Sequence, residues 1–317
     1  MGDNNLIMNT IPILFTFDGS LKTAAGVCLT SLLENAGPDT FYDIFILHEP
    51  DPHISGKLTD LASHYGNCRF TFRKVRGEFE EGYNIRGIPE TAYFRLLAPE
   101  RIPEYDKILY SDVDVIFRED LSKYYAIDLK DNYFAGVDSL PAINADDLLY
   151  AQKTLGEKIK NGYFYSGNLI LNLKLLRQDN KIEEFRGLGD CHFKFQDMDI
   201  INLTCSGRVL PLGPSFCLST YYYDSIMSGR ESVKAAFGKD ELDHALKSGI
   251  VHYNGAKPWK EVCPNMDIWW SYYRRSIFYD EEFTHKFWKD QTYRLEKMSL
   301  MKRIKLVGRY FRKGGRM

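Results

Sequence analysis

Between Ile11 and Val75, three runs of strand-like pattern, the first two mostly apolar, alternate with two stretches of helical pattern, an order that leaves few folds open. The runs span residues 11–17, 42–48 and 69–75, and the helical stretches span 23–35 and 55–65. Asp18-Gly19-Ser20 stops the first run and Gly37-Pro38 ends the first helix, both as turn chemistry requires. Parallel neighbours need a long crossover, usually a helix, so this alternation predicts an α/β fold. The expected fold is a single mostly parallel sheet flanked by helices. With 317 residues, 44% of them hydrophobic, the chain can bury a large core in one or two domains. Ligands of such sheets collect at the carboxyl ends of strands, where Asp18 falls.

The next apolar run, Lys107 to Phe117, carries two carboxylates, Asp112 and Asp114. On a continuous strand, residues two apart share a face, so both acids are expected to converge on one point. Bare negative charges placed together out of water need a cation or a proton. The pair is therefore a candidate site for a hard divalent metal. Its plainer alternative is a structural pair capping nearby backbone amides. Further strands are expected at 133–137, 168–172 and 249–253, and helices at 145–155 and 197–205.

Three more clusters carry chemistry. In Val251-His252-Tyr253-Asn254-Gly255-Ala256-Lys257-Pro258-Trp259, a histidine closes a strand, Gly255 lets backbone approach a ligand and Lys257 offers a point charge for phosphate. A histidine joining two carboxylates suits Mn²⁺ better than Mg²⁺, although a lone buried histidine is more often a core residue. In Gln196-Asp197-Met198-Asp199, either acid could simply cap the helix that follows. In Thr91-Ala92-Tyr93-Phe94-Arg95-Leu96, Arg95 could clamp an oxygen ligand or form an ordinary surface ion pair.

A net charge of -2 gives no bulk electrostatic route to nucleic acid. No apolar run approaches the roughly 20 residues that span a bilayer, and the polar N-terminus lacks the zones of a secretory signal. Six scattered cysteines with no Cys-x-x-Cys pair read as reduced thiols, which predicts a cytoplasmic protein. Residues 266–317 form an aromatic, then basic, helical region distinct from the catalytic part at 1–265. Its end, from Leu295, interleaves eight lysines and arginines with Leu300, Met301, Ile304, Leu306 and Val307. That pattern predicts contact with an anionic membrane surface; a solvated terminal helix packed on the body is the alternative.

Taken in order, these clusters resemble glycosyltransferase family 8, which includes bacterial lipooligosaccharide galactosyltransferases and glycogenin. The resemblance covers roughly residues 11–260. It rests on Ile13-Leu14-Phe15-Thr16-Phe17-Asp18, Tyr93-Phe94-Arg95-Leu96, Leu109-Tyr110-Ser111-Asp112-Val113-Asp114, residues 162–173, Gln196–Asn202 and the long mixed block His252–Trp259. It implies a GT-A-like fold and a retaining transfer of galactose or glucose from a UDP-sugar to a hydroxyl of a surface-glycan or lipid-linked acceptor, as in lipopolysaccharide biosynthesis. It places Mn²⁺, with Mg²⁺ as the alternative, on Asp112, Asp114 and His252. Thr16, Asp18, Ser20, Asp112, Val113, Gly255 and Lys257 would hold the nucleotide. Asp197 and Asp138 are the acids expected at the donor sugar, which Arg95 would also reach.

Three positions depart from the family pattern. Tyr165 stands where the family usually has asparagine, Met198 where it has glutamine, and Leu21 where a tyrosine is common. In the lipooligosaccharide enzymes that glutamine lies beneath the sugar, and a thioether has no carbonyl to replace it. The resemblance then implies a front-face transfer, in which the leaving oxygen assists the incoming hydroxyl. A catalytically weak UDP-sugar-binding protein and a UDP-sugar hydrolase are the competing readings.

Overall fold

The first three strand-like runs form strands β1 (Asn9–Thr16), β2 (Thr40–His48) and β3 (Cys68–Lys74) in a computed structural model that describes residues 8–48, 52–75, 79 and 90–312. Helices α1 (Lys22–Glu34) and α2 (Pro52–Tyr65) link them. β4 (Lys107–Ser111), β6 (Phe134–Val137), β7 (Asn168–Asn172) and β8 (Val209–Leu212) complete a seven-stranded sheet, while the intervening β5 (Val115–Ile116) lies outside it. The order is β3-β2-β1-β4-β7-β6-β8. β7 is antiparallel to both of its neighbours, and the other four pairings are parallel. The sheet is therefore mostly parallel, with helices on its faces, as the alternation predicted.

Both faces of β1 are buried. Ile13 and Phe15 join the cluster under α1 and α2, while Leu14 joins Ile108 and Tyr110 in a second cluster. Burial on both faces explains why β1 reads as a continuous apolar run instead of an alternating one.

The run from Lys107 to Phe117 is not one strand. β4 ends at Ser111, and β5 belongs to a separate three-stranded sheet, β5-β10-β9, with β9 (Leu218–Ser219) and β10 (Val251–His252). Asp112, Val113 and Asp114 form the link between the sheets. Asp112 N–H donates to Gly167 O at 2.7 Å, and Asp114 O accepts from Tyr253 N–H at 2.9 Å. The buried Val113 side chain anchors the link in the core. The acids thus converge because the chain changes sheet between them, and strand pleating is not the cause.

The expected helix at 197–205 spans Gln196–Thr204, and the expected strand at 249–253 is reduced to β10. β8 carries Pro211, which its position at the sheet edge tolerates. Toward the C-terminus, helix Met266–Arg275 sends Trp269, Trp270 and Tyr273 into the cluster that α1 also fills. Gly26 on α1 permits this packing: a Cβ there would lie 2.6 Å from Cδ1 of Phe278. Helices Glu281–Glu296 and Leu300–Arg312 follow.

Candidate active site

Four segments meet at the carboxyl end of β4. The Asp112–Asp114 link supplies two carboxylates and β10 supplies His252. The turn after β10 supplies Lys257, and the first turn of helix Gln196–Thr204 supplies Asp197. Ligand atoms of Asp112, Asp114 and His252 all lie within 4.8 Å of one another. His252 Nε2 is 3.2 Å from Asp114 Oδ1 and 3.6 Å from Asp112 Oδ2.

Each of these three groups has its second polar atom committed elsewhere. Asp112 Oδ1 accepts from Tyr110 Oη at 2.6 Å and from Arg95 Nη2 at 2.8 Å. Asp114 Oδ2 accepts from Lys257 Nζ, which also donates to Tyr253 O at 2.6 Å. His252 Nδ1 faces Cys217 Sγ at 3.5 Å. Asp112 Oδ2, Asp114 Oδ1 and His252 Nε2 are thereby turned toward one another. Two carboxylate oxygens and one imidazole nitrogen form a donor set that fits a divalent cation of the Mn²⁺ or Mg²⁺ type.

Gly167 makes room for this cluster. A Cβ on it would lie 2.8 Å from His252 Nδ1 and 2.9 Å from Asp112 Oδ2, with Cε1 of the ring nearer still. Any larger residue would push the ring or the carboxylate aside.

Arg95 lies on a 3₁₀ turn, Phe94–Leu97. Its guanidinium is buried, not part of a surface pair. Nη1 donates to Ser166 O at 2.7 Å and Nε to Ala92 O at 2.9 Å, and the group sits 4.4 Å from the centre of the Tyr110 ring. Nε is also 3.2 Å from Asp197 Oδ2, but its N–H points to Ala92. Asp197 Oδ2 is therefore within ion-pair range of Arg95 yet buried without a hydrogen-bond partner. Arg95 links the Asp112 cluster to Asp197.

The electrostatics follow from this arrangement. Burial alone would raise the pKa of Asp114, but Lys257 and His252 outweigh it and hold the carboxyl well below its ordinary value. Burial works against a charged His252, yet the Asp114 carboxylate raises its pKa to about 10. Burial dominates at Asp197, where the Arg95 charge only partly opposes it, and its pKa rises to about 6. For Arg95, the charges of Asp112 and Asp197 overcome burial and strengthen its hold on its proton.

Asp197 and Asp199 have divided the roles expected of them. Asp199 does the capping work: Oδ2 accepts from Phe195 N–H at 2.9 Å and from Tyr150 Oη at 2.6 Å, and Oδ1 accepts from Tyr163 Oη at 2.5 Å. Gln196 begins the helix with φ 45°, a left-handed conformation rare outside glycine and costly to hold. Asp197 follows that strained residue and faces Arg95.

The remaining expected residues lie as follows. Thr16 Oγ1 is 3.1 Å from Tyr110 Oη, so β1 connects to Asp112 through one phenol. Asp18 Oδ1 accepts from Ser20 N at 2.8 Å and from Ser20 Oγ at 2.5 Å at the head of a short 3₁₀ turn. Gly255 is not demanded by internal packing, since a Cβ there would meet Thr220 at an ordinary 3.7 Å. Asp138 is engaged outside the cluster, where Oδ1 accepts from Leu140 N and Tyr163 N, both at 3.0 Å. Burial raises its pKa, and these two N–H groups only partly offset that. Tyr110, Gly167 and Cys217 were not singled out from the sequence. Tyr110 carried a usable signal, standing two residues before Asp112 in the same apolar run.

An open, mostly parallel α/β sheet that gathers acids, a histidine and a basic pair at its carboxyl edge has the architecture of GT-A-type glycosyltransferases. The structure is similar to that of the galactosyltransferase LgtC, solved in complex with donor and acceptor sugar analogs. The TM-score is 0.70 at 26% identity, over 87% of this chain and 100% of that one. Among curated relatives, a lipopolysaccharide 1,2-glucosyltransferase of Escherichia coli is 22% identical over 300 residues, 90% of this chain and 81% of its own. A putative glycosyltransferase of Haemophilus influenzae is 26% identical over 267 residues, 81% of this chain and 76% of its own. Residues 12–263 match glycosyl transferase family 8, and the chain belongs to that family. It is a glycosyltransferase.

Proposed function

We propose that the protein is a retaining, Mn²⁺-dependent hexosyltransferase. In this reading it moves galactose or glucose from a UDP-sugar to a hydroxyl of a lipid-linked or surface-glycan acceptor, as in lipopolysaccharide assembly. The observation that carries this reading is the donor set itself, in which Asp112, Asp114 and His252 each present one ligand atom while the other is held elsewhere. The names of the relatives support the acceptor class.

A divalent cation on these three residues would supply positive charge to a sugar diphosphate as its glycosidic bond weakens. The protein's own groups share that work. Lys257, beside Asp114, is positioned to add charge at the leaving phosphate. Arg95 holds the Asp112 carboxylate and keeps Asp197 close to it. The unpartnered Asp197 Oδ2 is a buried acceptor suited to a hydroxyl of the donor sugar, or to the positive charge that develops on the ring. Thr16, Asp18, Ser20, Val113 and Gly255 are the residues proposed to hold the nucleotide, on β1 and the turn after it, on the link between the sheets, and on the turn after β10. Met198 packs against apolar neighbours and has no carbonyl to act as a nucleophile, which favours front-face transfer. Asp138 is assigned a structural rather than a catalytic part.

Residues 1–265 form the catalytic unit in this proposal, and 266–317 the attachment region. Leu300, Met301, Ile304 and Val307 are exposed on the last helix beside Lys302, Arg303 and Lys305. In this reading that helix would lie on the anionic inner face of a membrane, and the enzyme would work in the cytoplasm at the membrane surface. Among the described residues, no helix is long and apolar enough to cross one.

UDP release from a panel of UDP-hexoses, with Mn²⁺ and acceptor glycans, tests the proposal. Transfer requires acceptor-stimulated release that Asp112→Ala abolishes. Equal release without acceptor would instead identify a hydrolase, and metal-dependent UDP binding without release a binding protein. Undiminished Mn²⁺-dependent UDP affinity in Asp112→Ala would sink the site assignment.

A further inference from the structure

We infer that Cys217 is a positioning residue for His252, holding the imidazole through Nδ1 so that Nε2 is the nitrogen presented to Asp112 and Asp114. The inference rests on the proposed metal-binding role of those three residues. Cys217 is fully buried and is a free thiol. It immediately precedes β9, which pairs in parallel with β10 in the register Val251 to Leu218 and His252 to Ser219. The short sheet thus fixes the sulfur beside the ring, 3.5 Å from Nδ1. On another side the ring passes so close to Gly167 that no Cβ would fit. His252 can therefore neither swing away nor turn over without displacing a packed neighbour.

The chemistry gives the sulfur a definite task. An imidazole that gives its Nε2 lone pair to a cation carries its proton on Nδ1. That proton is sealed from water here and needs an acceptor. Metal-binding histidines usually direct it to a carboxylate or a carbonyl, which fixes the tautomer and makes the ring more electron-rich. Sulfur is a weaker acceptor, so it fixes the tautomer while adding less electron density. Cys217 thereby sets the ring's orientation and keeps it a moderate ligand.

The test measures free Mn²⁺ by electron paramagnetic resonance at fixed UDP for wild type, Cys217→Ala, Cys217→Ser and Asp114→Ala, with thermal unfolding of each. Cys217→Ala should weaken Mn²⁺ binding by about 10–100-fold, the usual effect of losing such a partner. Cys217→Ser, which keeps an acceptor, should recover most of that loss. Unchanged affinity in Cys217→Ala would overturn the inference. So would equal losses in both cysteine variants that track their melting temperatures, since that pattern is simple packing. If wild type fails to bind Mn²⁺, or Asp114→Ala binds it equally well, the metal reading fails and takes this inference with it. Nitrogen-15 spectra of the wild-type protein with Mg²⁺ and UDP supply a check that needs no cysteine variant. The His252 proton should reside on Nδ1, and finding it on Nε2 would refute the assignment.

Discussion

Replacing Gly167 with alanine adds one methyl group at the most crowded point of the site. The new carbon would lie 2.8 Å from His252 Nδ1 and 2.9 Å from Asp112 Oδ2. Favourable non-bonded contacts between carbons fall at about 3.5–4.0 Å, so the ring must retreat by roughly 1 Å or the β7 backbone must shift. Cys217 stands behind the ring at 3.5 Å from Nδ1, so a pure ring movement is obstructed. Overpacking of this kind costs about 1–3 kcal/mol of stability. A misplacement of about 1 Å can cost about 100-fold in rate. Gly167→Ala should therefore fold, melt lower than wild type and lose about two orders of magnitude in kcat/KM for UDP release, with weakened Mn²⁺ affinity. Gly56→Ala is the control, because a Cβ in the middle of α2 meets nothing within 4 Å. It should leave activity alone and add about 0.4–1 kcal/mol of stability by restricting the unfolded chain. A Gly167→Ala enzyme with wild-type Mn²⁺ affinity and rate would refute the crowding argument.

Arg95→Ala removes the cation from two buried carboxylates, Asp112 and Asp197, and should cost about 3–5 kcal/mol in chemical denaturation. Arg95→Lys should recover only part, since an ammonium cannot span Ser166 O, Ala92 O and Asp112 as the planar fork does. Burial works to raise the pKa of Asp43, but Arg69 and Tyr105 outweigh it and hold the carboxyl below its ordinary 3.8. Its folded pKa is depressed, so its contribution to stability is present above pH 3.8 and is lost as pH falls through the lower folded value. Urea denaturation should show the advantage of wild type over Asp43→Asn shrinking below that pH, and a constant difference would refute the linkage. Truncation before Leu300 should abolish binding to vesicles rich in anionic lipid while leaving UDP binding intact; unchanged vesicle binding would remove the membrane role.

The sequence showed the sheet and the identity of the candidate metal-site residues, but not the geometry that unites them. β1 and β2 were legible because both of their faces are buried, which leaves nearly unbroken apolar runs bounded by turn residues, while the half-exposed edge strand β3 showed instead as apolar and charged residues in alternation. β5, β9 and β10, at two residues each, are too short to have a period, so the second sheet was invisible. That is why Asp112 and Asp114 were placed together for the wrong reason. Reading Lys107–Phe117 as one strand brought them together by pleating, whereas a change of sheet between Ser111 and Val115 does so in the structure.

Arg95 and Asp197 show the opposite failure, in which local rules favoured bland roles that tertiary packing overrode. An arginine in an amphipathic stretch is usually a surface residue, and an acid in the first turn of a helix usually serves that helix. Here Asp199 took the helix's needs, with Phe195 N–H and two tyrosine hydroxyls, and thereby freed Asp197 to face Arg95. The spacing of the two acids could not decide between them, because the decision lies with Tyr150 and Tyr163, which are 49 and 36 residues from Asp199. Cys217 had still less to announce it, being one apolar-looking residue in a stretch without periodicity. Its place against His252 comes from the pairing of β9 with β10, a contact between segments 35 residues apart. What the sequence hides at this site is therefore mostly the support of the ligands. Asp112 and His252 are recognisable from their own motifs and Tyr110 from its place two residues before Asp112, while Gly167 and Cys217, which crowd these candidate ligands into place, are recognisable only once the strands are paired.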